Sequence, residues 1–243
     1  MSGPAAHNHG TSLHAQHTKE FQTSLTPPQA FQLLKDGNRR FVSNLRLNRN
    51  LLQQVNETSE EQYPFAIVLS CIDSRTGAEL IFDQGLGDIF SVRVAGNVLN
   101  EDILASMEFA CGLAGSRLIV VLGHSKCGAV KGACRHLQVG HLTGLLGKIG
   151  PALWEVEQQR GNRSTNPEFV EQVARENTRH QMRAIVQRSP ILGELLNQGR
   201  IGIVGGMYSV ESGEVDFFEE QFKPPALPST SAAVAPTATG DSR

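Results

Sequence analysis

The residues best suited to chemistry lie in two short stretches. Cys71-Ile72-Asp73-Ser74-Arg75 closes the apolar run Phe65-Ala66-Ile67-Val68-Leu69-Ser70, and His124-Ser125-Lys126-Cys127 follows Leu118-Ile119-Val120-Val121-Leu122-Gly123. Cys71, Asp73, His124 and Cys127 together offer two thiolates, an imidazole and a carboxylate, a ligand set that suits zinc. In an extended segment, residues two apart point the same way, so Cys71 and Asp73 can face one ion. Cys127 is expected in the first turn of the following helix, where partial positive charge favours its thiolate form. Taken singly, each residue has an ordinary role: a buried thiol, a surface Asp-Arg pair or a capping histidine. A metal centre requires the two stretches to meet.

The elements around them provide that meeting. Both apolar runs are short and β-branched, and read as buried parallel strands. In open α/β sheets ligands gather beyond the carboxyl ends of the strands, near a switch point. Cys134 lies seven residues past Cys127, about 10 Å along a helix axis, whereas a zinc–sulfur bond is about 2.3 Å. Cys134 is therefore a packing residue. Two cysteines and a histidine with a less committed aspartate look like a catalytic site that keeps one position for water. Asp73 and Arg75 form a switch in this reading: paired with Arg75, Asp73 orients the nucleophile, and released from it, Asp73 closes the metal.

C-x-D-S-R followed by G-H-x-x-C-G resembles the β-class carbonic anhydrases. The likeness continues through Gly87-Asp88-Ile89-Phe90, Arg93-Val94-Ala95-Gly96-Asn97 and Gly205-Gly206-Met207-Tyr208, and covers about residues 27 to 218. It implies Zn2+ as cofactor and reversible hydration of carbon dioxide to bicarbonate and a proton by zinc-bound hydroxide, with the Asp73-Arg75 dyad assisting. It also implies substrate contacts from Gln84, from the backbone amide of Gly128 and from Phe109 of a neighbouring subunit, in a homodimer or dimer of dimers. One subclass of the family places a tryptophan three residues before the first metal cysteine and binds an inhibitory bicarbonate with an arginine and a tyrosine. Arg93 and Tyr208 match that pair, but Val68 stands in the tryptophan's place, so the open subclass is expected. Two alternatives use the same residues: hydrolysis of carbon disulfide or carbonyl sulfide, and a zinc-stabilised homologue without catalysis. The intact Asp73, Arg75 and Gln84 argue against the latter.

Composition bounds the rest. The chain has 243 residues, enough for one domain, and 40% hydrophobic content supports a core. A net charge of -2 carries no signature of nucleic-acid or membrane partners. No apolar run approaches the ~20 residues of a bilayer span, and Met1 to Glu20 lacks the apolar segment of a secretory signal. Four cysteines, two of them claimed by a metal, fit a reducing cytoplasm.

The fold class expected is α/β: a mostly parallel central sheet flanked by helices, with an N-terminal helical arm and an antiparallel edge strand. Residues 1–24 read as a disordered polar tail, 25–222 as the catalytic domain and 223–243 as a disordered Pro/Ala/Ser/Thr tail. The tail histidines His7, His9, His14 and His17 read as solvated. A helix beginning near Thr26-Pro27-Pro28 presents an apolar stripe and forms the arm. A helix from about Glu101 to Gly115 puts Ile103, Leu104, Met107, Ala110, Cys111 and Ala114 on one face. Phe109 and Leu113 fall on the other, which implies a subunit interface. The helix carrying Cys127 is expected to run through Leu137. Asn166-Pro167-Glu168 opens a long helix to about Arg188. Ile201 to Gly205 reads as a strand, with Glu214 to Phe218 as its hairpin partner.

Overall fold

Apolar runs become the strands, and their order sets where the site falls. The structure, a computed structural model, describes residues 18–161 and 164–224. Among these residues one sheet forms from β1 (Ala66–Ser70), β2 (Ile89–Arg93), β3 (Leu118–His124), β4 (Gly202–Tyr208) and β5 (Val215–Gln221). The order is β2-β1-β3-β4-β5; the first four strands are parallel, and β5 runs antiparallel to β4 at the edge. The chain moves from β1 out to β2 and then crosses back to β3, so the topology reverses between β1 and β3. That is the switch point of a doubly wound sheet.

Every residue of β1, β3 and β4 is buried, which explains why their sequences run apolar without alternation. On one face Ile67, Leu69, Ile119, Val121 and Ile203 pack against α5 (Glu101–Glu108) and α10 (Pro190–Asn197). On the other, Ala66, Val68, Val120 and Val204 meet Phe31 and Leu34 of α2 (Pro27–Val42) and Ile81 of α4 (Ala78–Ile81). A third cluster covers Cys71 and Cys127 with α6 (Gly128–Cys134), α8 (Gly150–Arg160) and the first half of α9 (Pro167–Arg188).

Local chemistry starts these helices where the sequence reading put them. Thr26 and Gln29 form a reciprocal capping box ahead of Pro27, and Asn166 caps α9 through Phe169 N. Some boundaries differ. The expected tail to residue 24 contains α1 (Lys19–Ser24), because Gln22 is buried and donates to the carbonyls of Pro64 and Ala114, both at 2.8 Å. Residues 1–17, with the four tail histidines, and residues 225–243 lie outside the described residues. The short helix α3 (Leu51–Glu57), capped by Asn50, had no periodic signal in the reading.

The expected helix 101–115 widens after Glu108 into a π turn, Phe109–Leu113, where Ala114 N reaches Phe109 O at 2.9 Å and Ser116 N reaches Ala110 O at 2.9 Å. The faces survive the change: Cys111 is buried, and Phe109 and Leu113 are 53% and 81% exposed. Burial alone raises the Cys111 thiol to about 12, so it behaves as a small apolar residue. Helix α6 stops at Cys134, short of Leu137, because His136 turns left-handed at φ 52° and Leu137 N closes on Gly132 O.

The arm docks through one backbone approach. A Cβ at Gly37 would lie 1.7 Å from the Phe82 carbonyl oxygen, so α2 and α4 meet only over a glycine. Asn38 beside it donates to the carbonyls of Ile81 and Gly213 and accepts from Val215 N, joining arm, α4 and the β4–β5 hairpin. Gly37→Ala should therefore destabilise the fold by about 2 kcal/mol. The check is the midpoint of urea unfolding with an unchanged m-value.

Candidate metal centre

Cys71 directly follows β1 and His124 ends β3, so the switch point brings both to one end of the sheet. Cys127 arrives three residues later as the N-cap of α6, extended at φ -65° and ψ 120°, one position before the helical turn in which it was expected. The ligand atoms of Cys71, His124 and Cys127 all lie within 4.8 Å of one another, and all three residues are buried. Donors around a tetrahedral zinc sit roughly 3.5–3.8 Å apart, so small shifts seat an ion there.

The histidine supplies an independent test of fit. His124 Nδ1 lies 2.9 Å from the carbonyl oxygen of Ser125. A carbonyl only accepts, so Nδ1 carries the proton and Nε2 presents its lone pair. His124 Nε2 is buried and has no hydrogen-bond partner among the described residues. A buried lone pair without a donor is costly unless a cation receives it. The donor set and the tautomer both suit zinc.

The thiols share one proton without a metal. Cys71 is held well below the ordinary thiol range, first by the hydrogen bond from Cys127 and also by the backbone amides of Asp73 and Gly96. Cys127, left with the proton, is pushed up by that same contact, by burial and by the Cys71 charge. Gly96 N donates to Cys71 Sγ at 3.3 Å from the tight turn Ala95–Asn97. Gly96 has φ 70°, and a Cβ there would stand 2.9 Å from Ile149 Cδ1. Its carbonyl accepts from Asn177 Nδ2 at 2.8 Å; Gln181 Nε2 donates to Asn177 Oδ1, and Leu99 N donates to Gln181 Oε1. Sequence reasoning missed Asn177 and Gln181. Their signal is two amides four apart on the buried face of a long helix.

Asp73 lies outside the three-residue cluster and is paired with Arg75. Arg75 Nε donates to Asp73 Oδ1 at 2.9 Å, one terminal nitrogen donates to Oδ2 at 2.8 Å, and its backbone N–H reaches Oδ1 at 3.0 Å. The Arg75 bonds hold the Asp73 carboxyl well below the usual carboxylate range. Arg93 donates to the carbonyls of Cys71 and Asp73 at 3.0 and 2.6 Å, and Thr76 Oγ1 lies 2.9 Å from both oxygens. Arg93 thus braces the 71–76 loop.

The remaining residues are placed separately. Gln84 is half-buried near α2, with Nε2 donating to the Phe82 carbonyl at 2.5 Å. Gly128 opens α6 with its Cα exposed. Phe109 packs edge-on against Phe90, ring centroids 6.3 Å apart, on the outer face. Gly128 directly follows Cys127 in the chain, whereas among the described residues neither Gln84 nor Phe109 makes a hydrogen bond or ring contact with Cys71, His124 or Cys127.

Known proteins are similar to this chain in sequence and fold. The family model described as carbonic anhydrase matches residues 66–215. The carbonic anhydrase of Mycolicibacterium smegmatis is 35% identical over 196 residues, 78% of this chain and 92% of that protein. The β-carbonic anhydrase CcaA has a TM-score of 0.63 at 27% identity, covering 78% of this chain and 95% of that one. A tetrameric β-carbonic anhydrase of Sordaria macrospora shares the fold with a TM-score of 0.61 at 20% identity, over 68% of this chain and 89% of that one.

Metal binding to this cluster must displace the proton that Cys127 retains. The Cys127 thiol is raised, so it is protonated in the metal-free chain at neutral pH and becomes easier to displace as pH rises. Apparent zinc affinity should climb by about tenfold per pH unit around neutrality, one proton being released per ion. Competition with a chelator of known affinity at several pH values measures the slope; a pH-independent affinity would contradict the shared proton.

Proposed function

Because the chain belongs to the β-class carbonic anhydrase family, whose reaction is the reversible hydration of carbon dioxide, we propose that it performs this reaction with zinc held by Cys71, His124 and Cys127. Zinc, when bound, supplies a Lewis-acid charge that makes hydroxide available near neutral pH. The observation that carries the proposal is the bidentate Asp73-Arg75 pair beside the buried cluster. With its carboxylate on Arg75, Asp73 would not compete with water for a zinc held by Cys71, His124 and Cys127.

Asp73 works in this reading as an acceptor. Arg75 keeps it ionised throughout the neutral range, so it takes a hydrogen bond from the attacking water and aims a lone pair at carbon. Released from Arg75, the same carboxylate would occupy the fourth metal position and close the site. The second amide hydrogen of Gln84 donates to a bicarbonate oxygen, as does Gly128 N–H. Phe109 of a neighbouring subunit walls the apolar approach of carbon dioxide. Val68, fully buried in β1, leaves no indole for an inhibitory bicarbonate site, and Arg93 is already committed to the 71–76 loop. The compartment in this reading is the cytoplasm, since a reducing environment preserves two metal cysteines. No helix among the described residues is long and apolar enough to cross a membrane.

A homodimer or dimer of dimers completes the reading. Phe109 and Leu113 present apolar area to solvent from the same π turn, next to half-buried Phe90 at the edge of the sheet.

Two measurements test this. Arg75→Ala should lower kcat for carbon dioxide hydration by about a hundredfold in stopped flow while one zinc per chain is retained; full activity would sink the dyad. Leu113→Lys should shift the sedimentation coefficient toward the monomer and lower turnover with it. An unchanged oligomer would remove this face from the interface.

A further inference from the structure

Beside the metal cluster the structure holds a cleft whose contents the reaction above does not use. It has a volume of about 900 Å³, and Cys127, Tyr208 and Glu171 all line it. Cys127 puts one wall against the candidate metal centre. Tyr208 ends β4 opposite His124, in register across the parallel pair. Space of this size holds many waters, each of which occupies about 30 Å³ of liquid. Glu171 projects from the second turn of α9.

The acidic residues of the cleft are not equivalent. Glu168 is paired with Arg160, Glu211 with Lys126 and Asp216 with Arg175, while Glu214 is exposed and accepts from Ser212. Glu171 is half-buried and makes no hydrogen bond or ion pair among the described residues. The cation four residues along its own helix, Arg175, is held by Asp216 at 2.8 Å and lies 4.6 Å over the Phe218 ring. Lys131 and Arg135 of α6 also line the cleft. A carboxylate kept half out of water with no fixed donor is a poor structural group. It suits a group that gains and loses a proton.

We infer that Glu171 is a proton-relay carboxylate, carrying the proton of hydration from the metal centre through the water of this cleft to external buffer. The inference rests on the proposed carbon dioxide hydration. Carbon dioxide and water give bicarbonate and one proton; the proton passes along cleft water to the Glu171 carboxylate, which becomes a neutral carboxyl. A buffer base then removes it and restores the anion. Burial raises the Glu171 carboxyl above the ordinary range, more than the opposing charge of Arg175 on α9 lowers it, and Glu211 on the β4–β5 turn adds to the rise. An acceptor in this position is better matched to a proton released near neutral pH than an ordinary surface glutamate.

Glu171→Gln in the zinc-loaded protein separates this inference from the function it rests on. Oxygen-18 exchange at chemical equilibrium should show carbon dioxide–bicarbonate interconversion unchanged, with kcat/KM unchanged. Steady-state kcat in weak buffer should fall at least about tenfold, less than positioned proton transfer often contributes because bulk water carries part of the flux. Concentrated imidazole should restore it. Carbon-13 resonances of labelled glutamate carboxyls should show one group titrating above the ordinary range in the wild type and absent from Glu171→Gln. Unchanged kcat in weak buffer, or a Glu171 carboxyl titrating in the ordinary range, overturns the relay. Absence of interconversion in the wild type overturns the hydration reading instead.

Discussion

Two sulfurs and an imidazole lone pair meet in a buried space at the end of β1 and β3, and much of the local structure follows from making that tolerable. The pair of thiols relieves its charge by sharing a proton, and His124 leaves Nε2 without a partner. Such a cluster in low dielectric favours a divalent cation over any arrangement of hydrogen bonds. The turn at Gly96 directs an amide at Cys71, and Asn177 and Gln181 hold that turn from α9. The long helix thus supports the site through two side-chain amides that hold the Ala95–Asn97 turn.

The same economy governs the loop after β1. Four carbonyl and carboxylate acceptors lie between Cys71 and Asp73, and Arg75, Thr76 and Arg93 satisfy them. Arg93 comes from β2, the neighbouring strand, so the loop is tied to the sheet and not only to itself. Asp73 pairs with a half-exposed Arg75 side chain, whereas the loop's buried carbonyls are held from within the loop and from β2. The loop around Cys71 is thus fixed by a few hydrogen bonds from Thr76 and from β2.

The site opens in two different directions. Gln84 and Phe109 stand apart from the cluster within the chain, on the α2 side and the β2 edge. On the β4 side, a cleft large enough for many waters, lined by the half-buried Glu171, leads away from Cys127. Substrate entry and proton exit would then use separate faces of one metal centre.

The spacing of Cys71, His124 and Cys127 singled them out as candidate ligands and marked the segments carrying them as strands, while Asp73, named with them, falls outside the cluster. Cys71, His124 and Cys127 are read from spacing, and unbroken apolar runs reveal strands buried on both faces. Helix starts such as Thr26 and Asn166 were legible because capping is a local interaction. Helix ends and widened turns were not: the π turn at Phe109 and the stop at Cys134 depend on backbone bonds that no side-chain period encodes. Tertiary structure alone decided that Asp73 sits on Arg75, since both pairing and metal ligation are open to a C-x-D-x-R loop. It alone decided the roles of Asn177, Gln181, Arg93 and Glu171 as well. Each of these acts through space on a segment far away in sequence, and only the packing of α9 and β2 against the switch point sets that distance.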